Sequence, residues 1–390
     1  MGNVGMQHLD AGGLMRGAED RTGLRDWGRD SFEVPFVTLV HSLNTEANLT
    51  ELGFRRALRR LSDTLDSRLR LVADRTRHPE IAAEKIVAPI FVSGLPRSGT
   101  TFLHNLLSQD PVNRSPATWE IMYPSPPPRE KDFIDDPRIA AAAEAMEFEG
   151  FMAPDLQAIH PFDARRPEEC NFIWEHSFLT PNYMAWWNVP TYTKLLYSTD
   201  FRPVYEEERE FLQHLQARFH RDRWVLKTPA HMAWLGDLFT VFPDACVIQC
   251  HRDPAKIVPS LAKNLAVWRR TFSNEVPGGG FGMLELQATG LKRVAKFRAA
   301  AEFSGRFADA HYLDVQKDPI GEVRRLYRQF GIDLSDARAE ALRVWLRCDR
   351  HGHAQGPRHT YGLDQFDLDL AKIDTVMGDY IRGCSVQLER

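Results

Sequence analysis

The 390-residue chain carries 49 Lys and Arg against 53 Asp and Glu, a formal net charge of −4, with 43% hydrophobic and 26% charged residues. This balance fits a globular protein with a sizeable core, and it excludes a disordered chain and an overall basic field for nucleic acid. Five cysteines (Cys170, Cys246, Cys250, Cys348 and Cys384) form no C-x-x-C pair, so neither a disulfide framework nor a zinc site is indicated and a reducing cytoplasm is the expected compartment.

The first residues contain no continuous apolar stretch of signal-peptide type, and no run of membrane-spanning length occurs anywhere. Met1-Gly2 invites a myristoylation reading, but Met6 stands where Ser or Thr is wanted. Residues 45–72 place apolar side chains at helical spacing with arginines opposite, predicting one or two amphipathic helices whose arginines face solvent.

Ile90 to Leu107 reads as apolar strand, glycine turn and apolar helix. Gly94, Gly99 and Thr101 match G-x-x-x-x-G-K-[ST], but Thr100 stands where the P-loop lysine belongs. Such a turn still presents backbone N–H groups and a helix N-terminus to one anionic group, with Arg97, Ser98, Thr100 and Thr101 as further donors.

Tyr123-Pro-Ser-Pro-Pro-Pro-Arg129 predicts an extended loop, and 137–150 an alanine-rich helix. Next come Phe162, Phe172, Trp174, Phe178, Tyr183, Trp186, Trp187 and Tyr192. Most such rings belong in a core, but the same density suits the wall of an apolar acceptor site, and Arg165 and Arg166 stand nearly alone as charges for a polyanion. From Pro203 the pattern is regular: helix 203–219, strand 223–227, helix from about 231, strand 245–250, and a helix opening at Pro254 behind the capping Asp253. Alternating strand and helix implies a parallel sheet with its ligand at the carboxyl ends of the strands, where Gly94, Lys227 and Arg252 all fall. His251-Arg252-Asp253 mimics a kinase catalytic loop. Pro254 follows it, no D-F-G occurs, and the glycine run Gly278–Gly282 comes after it, so that reading is set aside.

Pro96-Arg97-Ser98-Gly99-Thr100-Thr101 resembles the 5′-phosphosulfate loop of sulfotransferases, enzymes that use 3′-phosphoadenosine 5′-phosphosulfate (PAPS). The Arg97 form is similar to tyrosylprotein sulfotransferases and to a large bacterial family. The resemblance implies a P-loop-like three-layer α/β/α fold with a central parallel sheet and extra N-terminal helices. Residues 1–85 would form a helical segment packed on an 86–390 sulfotransferase domain. PAPS would be the co-substrate, with no metal, held by Arg97, Ser98, Gly99, Thr100 and Thr101. Arg252 and Ser260, eight residues apart, match the family's 3′-phosphate pair, and Lys227 its strand-end lysine at the bridging oxygen or sulfuryl group.

For the base, Glu120 lies 23 residues beyond Arg97, much as in tyrosylprotein sulfotransferases. His231 is the rival, and Glu168 and Glu169, in a PEEC-like segment, are third candidates. Gly356–Asp364 resembles the segment that closes over the nucleotide, with Arg358 and His359 at the 3′-phosphate, and departs from it at Gly362 and Asp367. The expectation is therefore a cytoplasmic sulfotransferase acting on a hydroxyl, in preference an apolar alcohol or phenol. No nucleic-acid partner or transmembrane segment is expected, and homo-oligomerisation is left open. The competing readings are a P-loop-type small-molecule kinase, which lacks the lysine at position 100, and a nucleotide-binding scaffold with decayed catalytic groups.

Overall fold

The computed structural model describes residues 8–273, 280–303, 305–348, 363–366 and 368–390. Arg358 and His359 lie outside the described residues. The chain divides into two compact units: one draws on Met1–Lys85, Pro116–His220 and Leu265–Pro277, the other on Ile86–Ser115, Arg221–Asn264 and Gly278–Arg390.

The described part of the first unit is helical. Residues 45–72 fall mostly in one helix, Glu51–Arg77, whose first turn is closed by Gly53 N–H donating to the Thr50 hydroxyl at 2.9 Å. Arg55 and Arg59 on this helix are exposed as expected, whereas Arg60 and Arg68 are buried. Their burial has a physical cause: carboxylates distant in sequence meet these two arginines. Arg60 Nε donates to Glu175 at 2.7 Å and Nη1 to Glu149 at 3.4 Å, while its guanidinium faces the rings of Phe151, Phe172 and Trp186 at 5.6–5.7 Å. Arg68 donates to Glu207 at 2.7 Å and lies 4.3 Å from the Phe32 ring centre. A charge can leave water where it is paired and hydrogen-bonded in this way. The eight aromatic residues from Phe162 to Tyr192 are all buried in this unit. Trp186 packs on Trp187 at 5.7 Å and on Phe151 at 5.5 Å. Phe172 and Trp186 among them face Arg60, and Phe162 and Phe172 line a small cavity together with Arg60 and Glu168.

The second unit holds a sheet of five parallel strands in the order β2-β3-β1-β4-β5: β1 Ile90–Gly94, β2 Asn113–Arg114, β3 Arg223–Lys227, β4 Cys246–His251 and β5 Phe307–His311. β1 is central and buried along its whole length, as expected of a parallel strand covered on both faces. Ile90, Val92, Val225, Ile248 and Ala308 pack with Leu103, Leu106, Val323, Leu326 and Leu342 from the helices Thr100–Leu107, Pro319–Gln329 and Asp336–Cys348. Phe91 points the other way and meets His231 and Phe242. The helix expected from about 231 is instead a 3-10 turn, Pro229–Ala233, followed by the helix Leu235–Val241. Ala230 N–H donates to the Thr228 hydroxyl at 3.2 Å, which fixes the turn behind Pro229.

Candidate active site at the strand ends

Gly94 ends β1 with φ +138°, and a Cβ there would lie 2.5 Å from the Cys250 carbonyl oxygen of neighbouring β4. Only glycine fits so close an approach. The chain then turns through Leu95–Ser98, with Ser98 N–H donating to Leu95 O at 3.2 Å and Pro96 setting the second position. Arg97 and Gly99 both sit at positive φ, +71° and +94°. For arginine this is a strained backbone, of a kind that gathers at binding sites, and the alternation delivers the chain to the start of the helix at Thr100.

Side chains from two other strand ends meet this loop. Lys227, the buried last residue of β3, donates from Nζ to Thr101 Oγ1 at 3.3 Å. Arg97 Nε donates to Ser260 Oγ at 3.1 Å, and Arg252 Nη1 donates to the Arg97 carbonyl at 3.2 Å. Residues predicted from three separate stretches of sequence, as the 5′-loop, the strand-end lysine and the 3′-phosphate pair, are thus within hydrogen-bonding distance of one another. Two guanidinium groups, an ammonium and several hydroxyls around one turn suit a ligand with anionic groups at two ends.

The Arg252 strand end is firmly held. His251 shares hydrogen bonds with Tyr380 at 3.2 Å and Asp309 at 2.8 Å, and Arg298 adds two more to Asp309 at 2.7 and 2.9 Å. Burial pushes the Asp309 carboxyl up, but hydrogen bonds from His251 and Arg298 outweigh it and hold the group well below the usual carboxylate range. Asp253 caps the helix Pro254–Phe272 through Ala255 N–H at 3.0 Å.

The base candidates have different surroundings. Glu120 is buried in the first unit and accepts the Ala117 N–H at 2.9 Å. Glu168 is buried, hydrogen-bonded to His160 at 3.1 Å and to the Glu169 N–H at 2.8 Å, and Glu169 accepts from Asn171 at 3.4 Å. His231 is buried in the second unit with its ring edge-on to Phe91 at 4.8 Å, and burial pushes its pKa down to about 3.

With its parallel sheet and glycine turn the chain belongs to the sulfotransferase family, whose model matches residues 89–336. It is a PAPS-dependent sulfotransferase of the P-loop-like α/β fold. It is 28% identical over 297 residues, 72% of each chain, to proteins of Mycobacterium tuberculosis and Mycobacterium bovis named omega-hydroxy-beta-dihydromenaquinone-9 sulfotransferase Stf3. Among solved structures it resembles the sulfotransferase STF1 of Mycobacterium tuberculosis, with a TM-score of 0.82, 29% identity, and coverage of 95% of this chain and 99% of that one. It also resembles STF9 of Mycobacterium avium, with a TM-score of 0.85, 26% identity, and coverage of 100% and 99%. No helix among the described residues is long and apolar enough to cross a membrane.

Two residues beside the site carried no sequence signal. Tyr312, just after β5, lies 3.8 Å from the Arg252 guanidinium carbon, measured to its ring centre. Glu389 pairs with Arg252 from 137 residues away. A tyrosine after a strand and a glutamate in a polar tail look ordinary until the fold brings them to the arginine.

Proposed function

We propose that this sulfotransferase moves the sulfuryl group of PAPS to the hydroxyl of an apolar small molecule, with residues 86–390 as the catalytic domain. The observation that carries the donor reading is the convergence of Lys227 on Thr101, Arg97 on Ser260 and Arg252 on the Arg97 carbonyl. Ser98, Gly99, Thr100 and Thr101 would receive the 5′-phosphosulfate, and Arg252 with Ser260 the 3′-phosphate. Arg97 and Lys227 would stabilise charge as the acceptor oxygen bonds to sulfur and the bond from sulfur to the 5′-phosphate oxygen breaks. No metal is invoked in this step.

For the base we favour Glu120, which would take the acceptor's proton. His231 is the weaker choice, because a base whose conjugate acid has a pKa of about 3 accepts a proton poorly near neutrality. The apolar acceptor is supported by the relatives named for a menaquinone derivative, at 28% identity, and by the scarcity of basic residues between 160 and 200. A cytoplasmic location accords with the cysteine usage.

The test offers purified protein ³⁵S-labelled PAPS, or ATP with Mg²⁺, together with hydrophobic alcohols, phenols and charged polysaccharides. Label on the apolar hydroxyls from PAPS alone is the expected result. Sulfation of polysaccharide only would overturn the acceptor reading, and transfer from ATP would overturn the donor reading.

A further inference from the structure

Arg252, read above as the 3′-phosphate ligand, already holds a carboxylate. Its Nε and Nη2 donate to Oε1 and Oε2 of Glu389 at 2.8 and 3.0 Å, the bidentate fork that a phosphate would also take. Glu389 is held in place by its surroundings. Its N–H donates to the buried Asp253 at 2.9 Å, Gln387 donates to Asp314 at 3.0 Å, and Arg390 pairs with Asp374 at 2.6 Å. Val386 is buried in an apolar cluster with Ile257, Val258 and Tyr380. The strap from Val386 to Arg390 is therefore fastened to the turn that carries Arg252.

A carboxylate in this position has two effects of opposite sign on phosphate binding. It orders Arg252, and ordering one long side chain is worth roughly two- to tenfold in affinity. Arg252 is also held without it, however, by the Tyr312 ring at 3.8 Å and by the Arg97 carbonyl at 3.2 Å. The charge effect has no such substitute. With Asp253 paired to Arg390 at 3.5 Å, Glu389 balances the Arg252 guanidinium, and a 3′-phosphate dianion must displace Glu389 or sit against a like charge.

We propose that Glu389 is an internal counter-ion that sets the affinity for 3′-phosphorylated nucleotides, holding it below what Arg252 alone would give. The proposal rests on the assignment of Arg252 to the 3′-phosphate. Donor and desulfated product share that phosphate, so Glu389 weakens both, and its place in the reaction is to let product leave.

Calorimetry with 3′-phosphoadenosine 5′-phosphate and with adenosine 5′-phosphate tests this on the wild type, Glu389→Gln, Glu389→Asp, Arg252→Ala and the Glu389→Gln/Arg252→Ala double variant. Glu389→Gln should tighten the 3′-phosphorylated ligand by roughly five- to twentyfold, and adenosine 5′-phosphate by less than about twofold, which also checks the fold. Glu389→Asp should stay near wild type, and in the Arg252→Ala background the Gln substitution should change nothing. Weaker or unchanged binding in Glu389→Gln, with the 3′-phosphate increment lost in Arg252→Ala, would overturn the counter-ion and leave the donor site standing. An increment that survives Arg252→Ala would overturn the Arg252 assignment itself, and the counter-ion with it.

Discussion

Replacing Glu149 by Gln should stabilise the protein, and by more as the pH rises. Glu149 is buried with Glu175 beside the guanidinium of Arg60. Burial drives its carboxyl up from an ordinary 4.5 to about 7, against the pull of Arg60 and with a further push from Glu175. Burial lowers Arg60 as well, but Glu175 and Glu149 outweigh it, so the cation persists throughout. Between pH 4.5 and 7 the folded state keeps a proton that the unfolded state has lost. Unfolding free energy therefore falls as pH rises, by about 1.4 kcal/mol per pH unit, and levels off above 7. The full shift corresponds to ~3 kcal/mol. Gln resembles the protonated carboxyl and does not titrate, so its advantage should be about 1 kcal/mol at pH 5.5 and about 3 kcal/mol at pH 8. Glu175, also raised by burial, loses a like-charged neighbour in the variant, so its own ionisation is eased and the difference again favours Gln at high pH. Guanidinium unfolding at the two pH values, with unchanged m, measures this directly. A variant less stable than wild type at pH 8, or a difference that does not grow with pH, would show that the pair with Arg60 outweighs the desolvation of Glu149.

Gly94→Ala should destabilise by about 2 kcal/mol or more, because its Cβ would meet the Cys250 carbonyl at 2.5 Å on a backbone at φ +138°. Gly331→Ala, at φ +70° with nothing within 4 Å, isolates the backbone cost at roughly 1 kcal/mol, and equal losses in thermal unfolding would remove the argument from close approach. Glu120→Gln should cut kcat by about 10²–10⁴ with donor affinity near native, and His231→Ala by less; the reverse ranking in steady-state kinetics would move the base to His231.

The proposed donor site was legible in the sequence because it is built from local patterns. A strand, a glycine turn and a helix in succession impose a backbone geometry whatever surrounds them, and β1 with Gly94 to Thr101 follows that rule. Strand ends at Lys227 and Arg252 were equally plain, since short apolar runs followed by polar residues mark where a parallel strand leaves the sheet. Helical spacing likewise found the amphipathic segment, read at 45–72 and observed as the helix Glu51–Arg77. Spacing could not say which of its arginines are buried, because the partners of Arg60 lie 89 and 115 residues away and only the packed fold sets them against it. The aromatic run from Phe162 to Tyr192 was visible as composition, but whether a ring lines a cavity or fills a core depends on what packs against its second face. That is a tertiary fact, and here neighbours such as Phe151, Trp268 and Phe272 decide it for Trp186. Glu389 shows the same division: sequence assigns a charge to the tail, and only the fold places that charge on Arg252, where electrostatic energy depends on distance in space and not along the chain.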